Sequence, residues 1–509
     1  MHNLLNLLIW LPILFGVLVL GVGRFVASAS LTKFVGLVFS ILVLALCVPL
    51  YLHFDASNGA MQFTEVYNWI PTLHVQYALG ADGISVLFII LTCFTNLIIV
   101  LSALQHVKDH VAEYMALFLF STGVLNGLFV AQDAFLFYVF WEASMIPVLL
   151  GIGIWGGERR YYAVIKFFLF NMLGSLMLLA ALAYLYIHFG TFNMSALQGL
   201  SLPLHAQNWL FFAFFAAFAV KMPMWPFHTW FADLHHEAPA GGAIALATLM
   251  LKTGAYGFLR FALPITPGVS HAVVMLLLVL ALIAIVYVGF AAVVQKDLKR
   301  LIAYSSISHM GIATLGIFMV LLLLGQADAT AFSNQTDALL GLQGAVFQMV
   351  THAFASGGMF ILVAMLAARF GSSLIQDYQG LAKTMPVLAF FFVIFAMSNV
   401  GLPGTAGFIG EFFVILGALH GNFWIAAIAA CTLVVSPAYM LWVVKRVIFG
   451  EVNPAAPTAV YAKLTGVEWL MMILLTVPVI YFGFYPHPVL HLSEAASQNL
   501  LHVVMRGLS

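Results

Sequence analysis

Four ionisable residues lie where an apolar chain should avoid charge. Glu142, in FYVFWEASMIP, stands nine residues after Asp133, roughly 13 Å into an apolar helix at helical rise. Lys221 closes the apolar run Phe211 to Val220 and is followed by Pro223 and Pro226. Each proline removes a backbone donor and breaks a helix. Lys252 lies about twelve residues into the next apolar helix at helical spacing. Glu411 follows a second break, VGLPGTAG, at residues 400–407. An intramembrane charge costs at least about 2.5–3.5 kcal/mol on insertion scales. Snorkelling needs a nearby interface, and these four positions are too central for it. A structural ion pair and an ion pathway remain, and they overlap. A Glu142–Lys221 pair would stabilise both charges, and breaking it would change the proton affinity of each. A desolvated lysine loads or unloads a proton as a carboxylate's influence on it changes.

Histidines add candidate links. His309, in ISHMG, and His352, in VTHAF, lie inside apolar runs and between the charged sites in chain order. His228 stands just after the proline break, and His235 and His236 close that segment. A lone membrane histidine is more often a packing residue than a carrier. For His205 and His236 a loop reading is the simpler one. Lys166 sits near a helix start and could snorkel, and Arg260 reads as an interface anchor. The pieces Ala240-Gly241-Gly242 and Ser356-Gly357-Gly358 read as close helix contacts.

The elements that position these groups are membrane helices. Of 509 residues, 64% are hydrophobic and 7% charged, where soluble domains carry about 25% charge. The expected fold is all-α and polytopic, with about fourteen transmembrane helices. They fall near 4–22, 32–52, 84–104, 112–131, 133–154, 163–188, 206–235 (broken), 240–263, 271–294, 300–324, 339–368, 384–420 (broken), 422–446 and 467–485. These are spans 1 to 14 below. The run Leu4 to Leu20 lacks a basic start and a clear cleavage site, so it reads as span 1 rather than a signal peptide. The longest loop, His53 to Gly83, is aromatic and acidic and holds no Lys or Arg. Zero formal net charge speaks against a nucleic-acid partner. Cys47, Cys93 and Cys431 are far apart and form no CxxC pair, so no iron–sulfur or zinc site is expected. No nucleotide-binding motif stands in a strand-to-helix context.

Lys and Arg follow the odd-numbered spans: Arg24 and Lys33, Lys108, Arg159 and Arg160, Lys296 to Arg300, Arg369 and Lys383, Lys445 to Lys463. The positive-inside rule makes those loops cytoplasmic and places both termini outside. Spans 7 and 12 are each fourth in a unit of five, spans 4–8 and 9–13. Five is odd, so the second unit enters from the opposite side, which is an inverted repeat. The expected organisation is residues 1–111 (helices 1–3 and outer loop), 112–263 and 271–446 (the two repeats), and 447–509 (helix 14 and tail).

FWEASMIP, KMPMWPFHTWFADLHHEAPAGGA, LMLKTGAYGFLR, DLKRLIAYSSISHMG and GLPGTAGFIGEF closely resemble the antiporter-like subunits of respiratory complex I, NADH-quinone oxidoreductase. The resemblance covers roughly residues 80–485. It implies fourteen helices, two inverted five-helix repeats and proton translocation across a bacterial inner membrane. It implies a glutamate on helix 5, matching Glu142, and lysines on helices 7 and 8, matching Lys221 and Lys252. The terminal helix-12 residue is usually lysine in the L and N branches and glutamate in the M branch, and here it is Glu411. His228, His309 and His352 match histidines lining the family's route; His235 fits less decisively. The implied partners are the lipid bilayer and other membrane subunits, with L and N as neighbours. NADH, FMN, iron–sulfur clusters and quinone are expected in other subunits, none bound by this chain. The expected route holds a proton near Lys221 and Lys252, then passes it through His309 and His352 to Glu411. The other readings are a sodium/proton antiporter subunit, a membrane subunit of a hydrogenase or formate-oxidising complex, and a structural scaffold.

Overall fold

The computed structural model describes residues 3–26, 28–200, 202–325, 332–452 and 462–508. Twelve described helices are long and apolar enough to cross a membrane. Spans 7 and 12 instead appear as shorter pairs: Leu204–Lys221 with Thr229–Glu237, and Pro386–Val400 with Ala406–Gly421. In lipid every broken helix must satisfy its backbone within the protein. At the first break Met224 N reaches back to Ala219 O, and Trp230 Nε1 donates to the Val220 carbonyl at 3.0 Å. At the second, Gly401 has φ +77° and ends its helix in the left-handed conformation that favours glycine. Span 5 is also divided, into Ala134–Ala143 and Met145–Trp155, at Ser144. Spans 8 and 9 carry π-helical turns, at Leu246–Met250, Phe258–Ala262 and Ala284–Val288.

Two segments differ from the sequence reading. The loop 53–83 contains an antiparallel hairpin of β1 (Gln62–Ile70) and β2 (Val75–Ala81). Its aromatic and β-branched residues, among them Val66, Tyr67 and Trp69, favour a pleated surface. The tail after span 14 is a 22-residue helix, His487–Leu508, with a buried stripe of Val489, Leu492, Ala496, Leu500 and Val504. That spacing is the apolar face of an amphipathic helix. It lies beside the hairpin loop, where Asn499 Nδ2 donates to Gly59 O at 3.1 Å. Asn6 bonds to Tyr77 and Glu65 of the hairpin. The beginning and end of the described chain therefore share one face with the hairpin.

The opposite face gathers most of the Lys and Arg. There Gly157 N donates to Glu237 O, His236 meets Asp297 at 3.2 Å, and Arg369 makes a two-pronged pair with Glu468 at 2.8 Å. Burial would raise the Asp297 carboxyl. Hydrogen bonds from His236, Ser373 and the Arg300 N–H outweigh it and hold the group below the usual carboxylate range.

One bracket occurs on each face. On the hairpin side Asp133 bridges Asn193, through Ala134 N to Phe192 O and Met194 N to Gln132 O. On the basic side Asp297 bridges Leu374, through Leu298 N to Ser373 O and Ile375 N to Lys296 O. Each aspartate also caps the helix it begins, span 5 or span 10. The bonding pattern is the same in both, with five spans between them in chain order.

Candidate proton-relay site

Lys252, with 0% of its surface exposed, emerges from the π-helical turn of span 8. Its ammonium donates to Ala247 O at 2.5 Å and lies 3.0 Å from His352 Nδ1. Span 11 presents His352 with Ser356 one turn on, and the two are within 3.4 Å. The His352 ring stands 5.9 Å, centre to centre, from His309 of span 10. His309 Nδ1 lies 2.7 Å from Glu411 Oε1, and Gln348 Nε2 is a longer partner of the same oxygen at 3.4 Å. His309 is 2% exposed and Glu411 1%. Four titratable groups thus form one buried line, Lys252, His352, His309 and Glu411. The sequence reading had the two histidines in the other order. Chain order cannot settle it, because spans 10 and 11 are antiparallel and their packing decides which ring meets which end.

The Glu411 end depends on the second helix break. Gly401 faces the carboxylate closely enough that a Cβ there would sit 3.2 Å from Glu411 Oε2. A side chain at 401 would also have to adopt φ +77°. On its far side His309 meets Tyr439 OH at 3.4 Å, and Tyr439 in turn bonds Ser305 at 2.8 Å. Neither Tyr439, Gln348 nor Ser305 stood out in the sequence, since single hydroxyls and amides are common in helix interiors.

Lys221 forms a second cluster. Its Nζ donates to Trp141 O and Ser144 Oγ, both at 2.9 Å, and stands 3.6 Å above the Trp141 ring. Among the described residues no Glu142–Lys221 ion pair falls within bonding distance, so the expected direct pair is corrected. Helix geometry explains this: at the Ser144 break the ammonium docks on the Trp141 carbonyl and the Ser144 hydroxyl, one residue before Glu142 and two after it. Among the described residues no hydrogen bond joins Lys221 to Lys252.

His228 begins the second half of span 7, near Tyr304, with ring centres 6.3 Å apart. It is apart from the Lys252–Glu411 line. The neighbouring charges are Lys166 and Arg300, both bonded to Asp233, at 2.8 and 3.1 Å. Lys166 is therefore paired rather than snorkelling. His235 is fully buried, with Nδ1 on Phe231 O at 3.0 Å. Arg260 is no interface anchor: it is buried in an ion pair with Asp82 at 2.5 Å. Several buried polar atoms have no hydrogen-bond partner among the described residues, including Glu142 Oε1, His228 Nδ1, His235 Nε2, His352 Nε2 and Glu411 Oε2. Buried polar atoms normally have partners.

The arrangement runs from a lysine amine through two imidazoles to a carboxyl group. An imidazole accepts a proton on one nitrogen and releases it from the other, so it links the ends without moving far.

Residues 131–436 match a family model described as NADH:quinone oxidoreductase/Mrp antiporter, transmembrane. NADH-quinone oxidoreductase subunit M of Rhodobacter capsulatus is 41% identical, over 99% of this chain and 97% of its own length. NADH-ubiquinone oxidoreductase chain 4 of Arabidopsis thaliana is 34% identical, over 97% and 96%. Among solved structures, a chain of respiratory complex I from Thermus thermophilus with bound NADH superposes with TM-score 0.84 at 33% identity, covering 98% and 99%. A chain of the Mrp complex from Dietzia sp. DQ12-45-1b has TM-score 0.83 at 21% identity, covering 98% and 99%. That last likeness concerns the fold alone.

Proposed function

The chain belongs to the antiporter-like membrane subunits shared by NADH:quinone oxidoreductase and Mrp antiporters, within the M-type branch of respiratory complex I, and on that premise we propose how it moves protons. A proton taken up from the basic face is held near Lys221 and Lys252. It passes through His352 and then His309 to Glu411, and leaves towards the hairpin face. The observation that carries this reading is the buried line itself, with bonds of 3.0 Å and 2.7 Å at its two ends. Glu142 gates loading by acting on Lys221 across the Ser144 break. The chain contributes the translocating part of the enzyme. Redox chemistry, with NADH, FMN, iron–sulfur clusters and quinone, belongs to other subunits of the complex.

The basic face is the cytoplasmic one, and both termini lie outside a bacterial inner membrane. The excess of Lys and Arg on one face supports this assignment. Antiporter-like subunits L and N are the neighbours. Two inverted five-helix repeats organise the path, a reading supported by the matched brackets at Asp133 and Asp297 on opposite faces.

The test is the proton-to-electron ratio of reconstituted complex carrying Glu142→Gln or Lys221→Ala. The ratio falls while NADH oxidation by quinone persists. A wild-type ratio in fully assembled variant complex would sink the assignment.

A further inference from the structure

Lys252 has a second partner that proton transfer alone does not require. A π-helical turn inserts one extra residue and disturbs the regular backbone ladder beside it. In two of the three π-helical turns of spans 8 and 9 the carbonyl of the second residue is met by a side chain. In span 9, Ser308 Oγ donates to Ile285 O at 2.7 Å. In span 8, the Lys252 ammonium donates to Ala247 O at 2.5 Å. The neutral hydroxyl keeps its proton under all ordinary conditions, whereas the ammonium can give one up. One turn is therefore fixed by its donor, and the other is held by a group that titrates.

The segment after the titrating turn, Leu251–Gly257, is hinged at both ends, because a further π-helical turn, Phe258–Ala262, follows it. That far turn is anchored by the Arg260–Asp82 ion pair. The segment between packs on the last turn of Leu204–Lys221. A Cβ at Gly254 would lie 2.6 Å from Phe218 O and 2.7 Å from Met222 N. So the backbone of span 8 touches the backbone that carries Lys221, and the contact leaves no room for a side chain.

We propose that the charge on Lys252 sets the helical register of Leu251–Gly257, and that this register reports the state of Lys252 to Lys221 through the Gly254 contact. The inference rests on the relay reading of Lys252. With Lys252 charged, Ala247 O keeps its donor and the π-helical turn persists. When the proton passes to His352, the ammonium becomes a neutral amine, and Ala247 O is left with a weaker, uncharged donor inside an apolar span, which is less favourable. Returning the turn to α-helical pairing relieves this. The displaced residue is absorbed at the second turn, and the segment rotates by up to about 100°, the phase of one residue. The ionisable groups facing Lys252 are His352 from span 11 and, beyond it, His309 from span 10, with His235 from the second half of span 7. Because coupling is reciprocal, the state of Lys221 biases Lys252 in return. This supplies a link between two lysines that no hydrogen bond joins among the described residues.

The experiment is electron cryo-microscopy of the whole assembled complex carrying Lys252→Met, with Lys252→Arg beside it. In the Met variant residues 246–250 become regular α-helix and Gly254 turns against Phe218, while the span 9 turn is unchanged. The Arg variant keeps the π-helical turn. An intact turn in the Met variant overturns the proposal. If the Met variant does not assemble, the wild-type complex is imaged at acid and alkaline pH: the turn persists at acid pH and reverts at alkaline pH, and an unchanged turn at both overturns the proposal. Loss of pumping in Lys252→Met with the turn intact would leave the relay standing and remove only this coupling.

Discussion

Glu411→Gln lowers proton delivery through this chain by about 100-fold or more, the scale on which a positioned proton-transfer group contributes, while electron transfer from NADH to quinone continues. The amide is nearly the same size as the carboxylate, so the second break in span 12 and its Gly401 contact survive. What is lost is an end group able to take a proton from His309 Nδ1 at 2.7 Å. Gln348 Nε2, at 3.4 Å from the same oxygen, is an amide and does not substitute. In vesicles carrying the assembled complex, the proton-to-electron ratio falls by the share that passes through this chain. An unchanged ratio would remove Glu411 from the route.

Asp82→Ala produces the largest expected loss of stability, about 3–5 kcal/mol, the cost of leaving one partner of a buried ion pair uncompensated. The side chains of Arg260 and Asp82 are 7% and 3% exposed. Asp82 also caps span 3 by accepting Ser85 N at 2.9 Å, and Ser85 Oγ accepts from Arg260 at 3.1 Å. Burial would raise the Asp82 carboxyl. The Arg260 guanidinium and the Ser85 hydrogen bonds outweigh it and hold the group below the usual carboxylate range. A depressed carboxylate contributes its stability above the unfolded value, about 3.9, and loses it only as pH falls through the folded value. The pair therefore holds across neutral pH and weakens only in acid. Thermal denaturation of purified complex, with the yield of assembled complex, measures the loss. Adding Arg260→Met to Asp82→Ala restores much of it, because the orphaned charge is gone.

The sequence carried the depth of the buried charges well, because each apolar run has a readable start. Asp133 dates the depth of Glu142, and the prolines after Lys221 announce a break. It carried less of what depends on packing between spans. The order His352 then His309 follows from which helices touch. The docking of Lys221 beside Glu142 follows from a break at Ser144, which Pro147 signals by removing the helical donor to Ala143 O, but which residues dock there is set by packing. The π-helical turns leave no trace in residue type, since LATLM and AIVYV are ordinary apolar helix text. Arg260 looked like an anchor because Asp82 is far away in the chain, in a segment that read as loop. The hairpin and the terminal helix were missed for a related reason: both are amphipathic surface elements, and a search for apolar spans passes over them.

The central claim is that the line Lys252, His352, His309 and Glu411 carries the proton. His352→Leu tests it most directly, since it cuts the line in the middle and leaves both charged ends in place. The measurement is the proton-to-electron ratio of reconstituted, fully assembled complex during NADH oxidation by quinone. The predicted result is a lowered ratio with NADH oxidation retained once the proton gradient is collapsed. A wild-type ratio in the His352→Leu complex would contradict the claim.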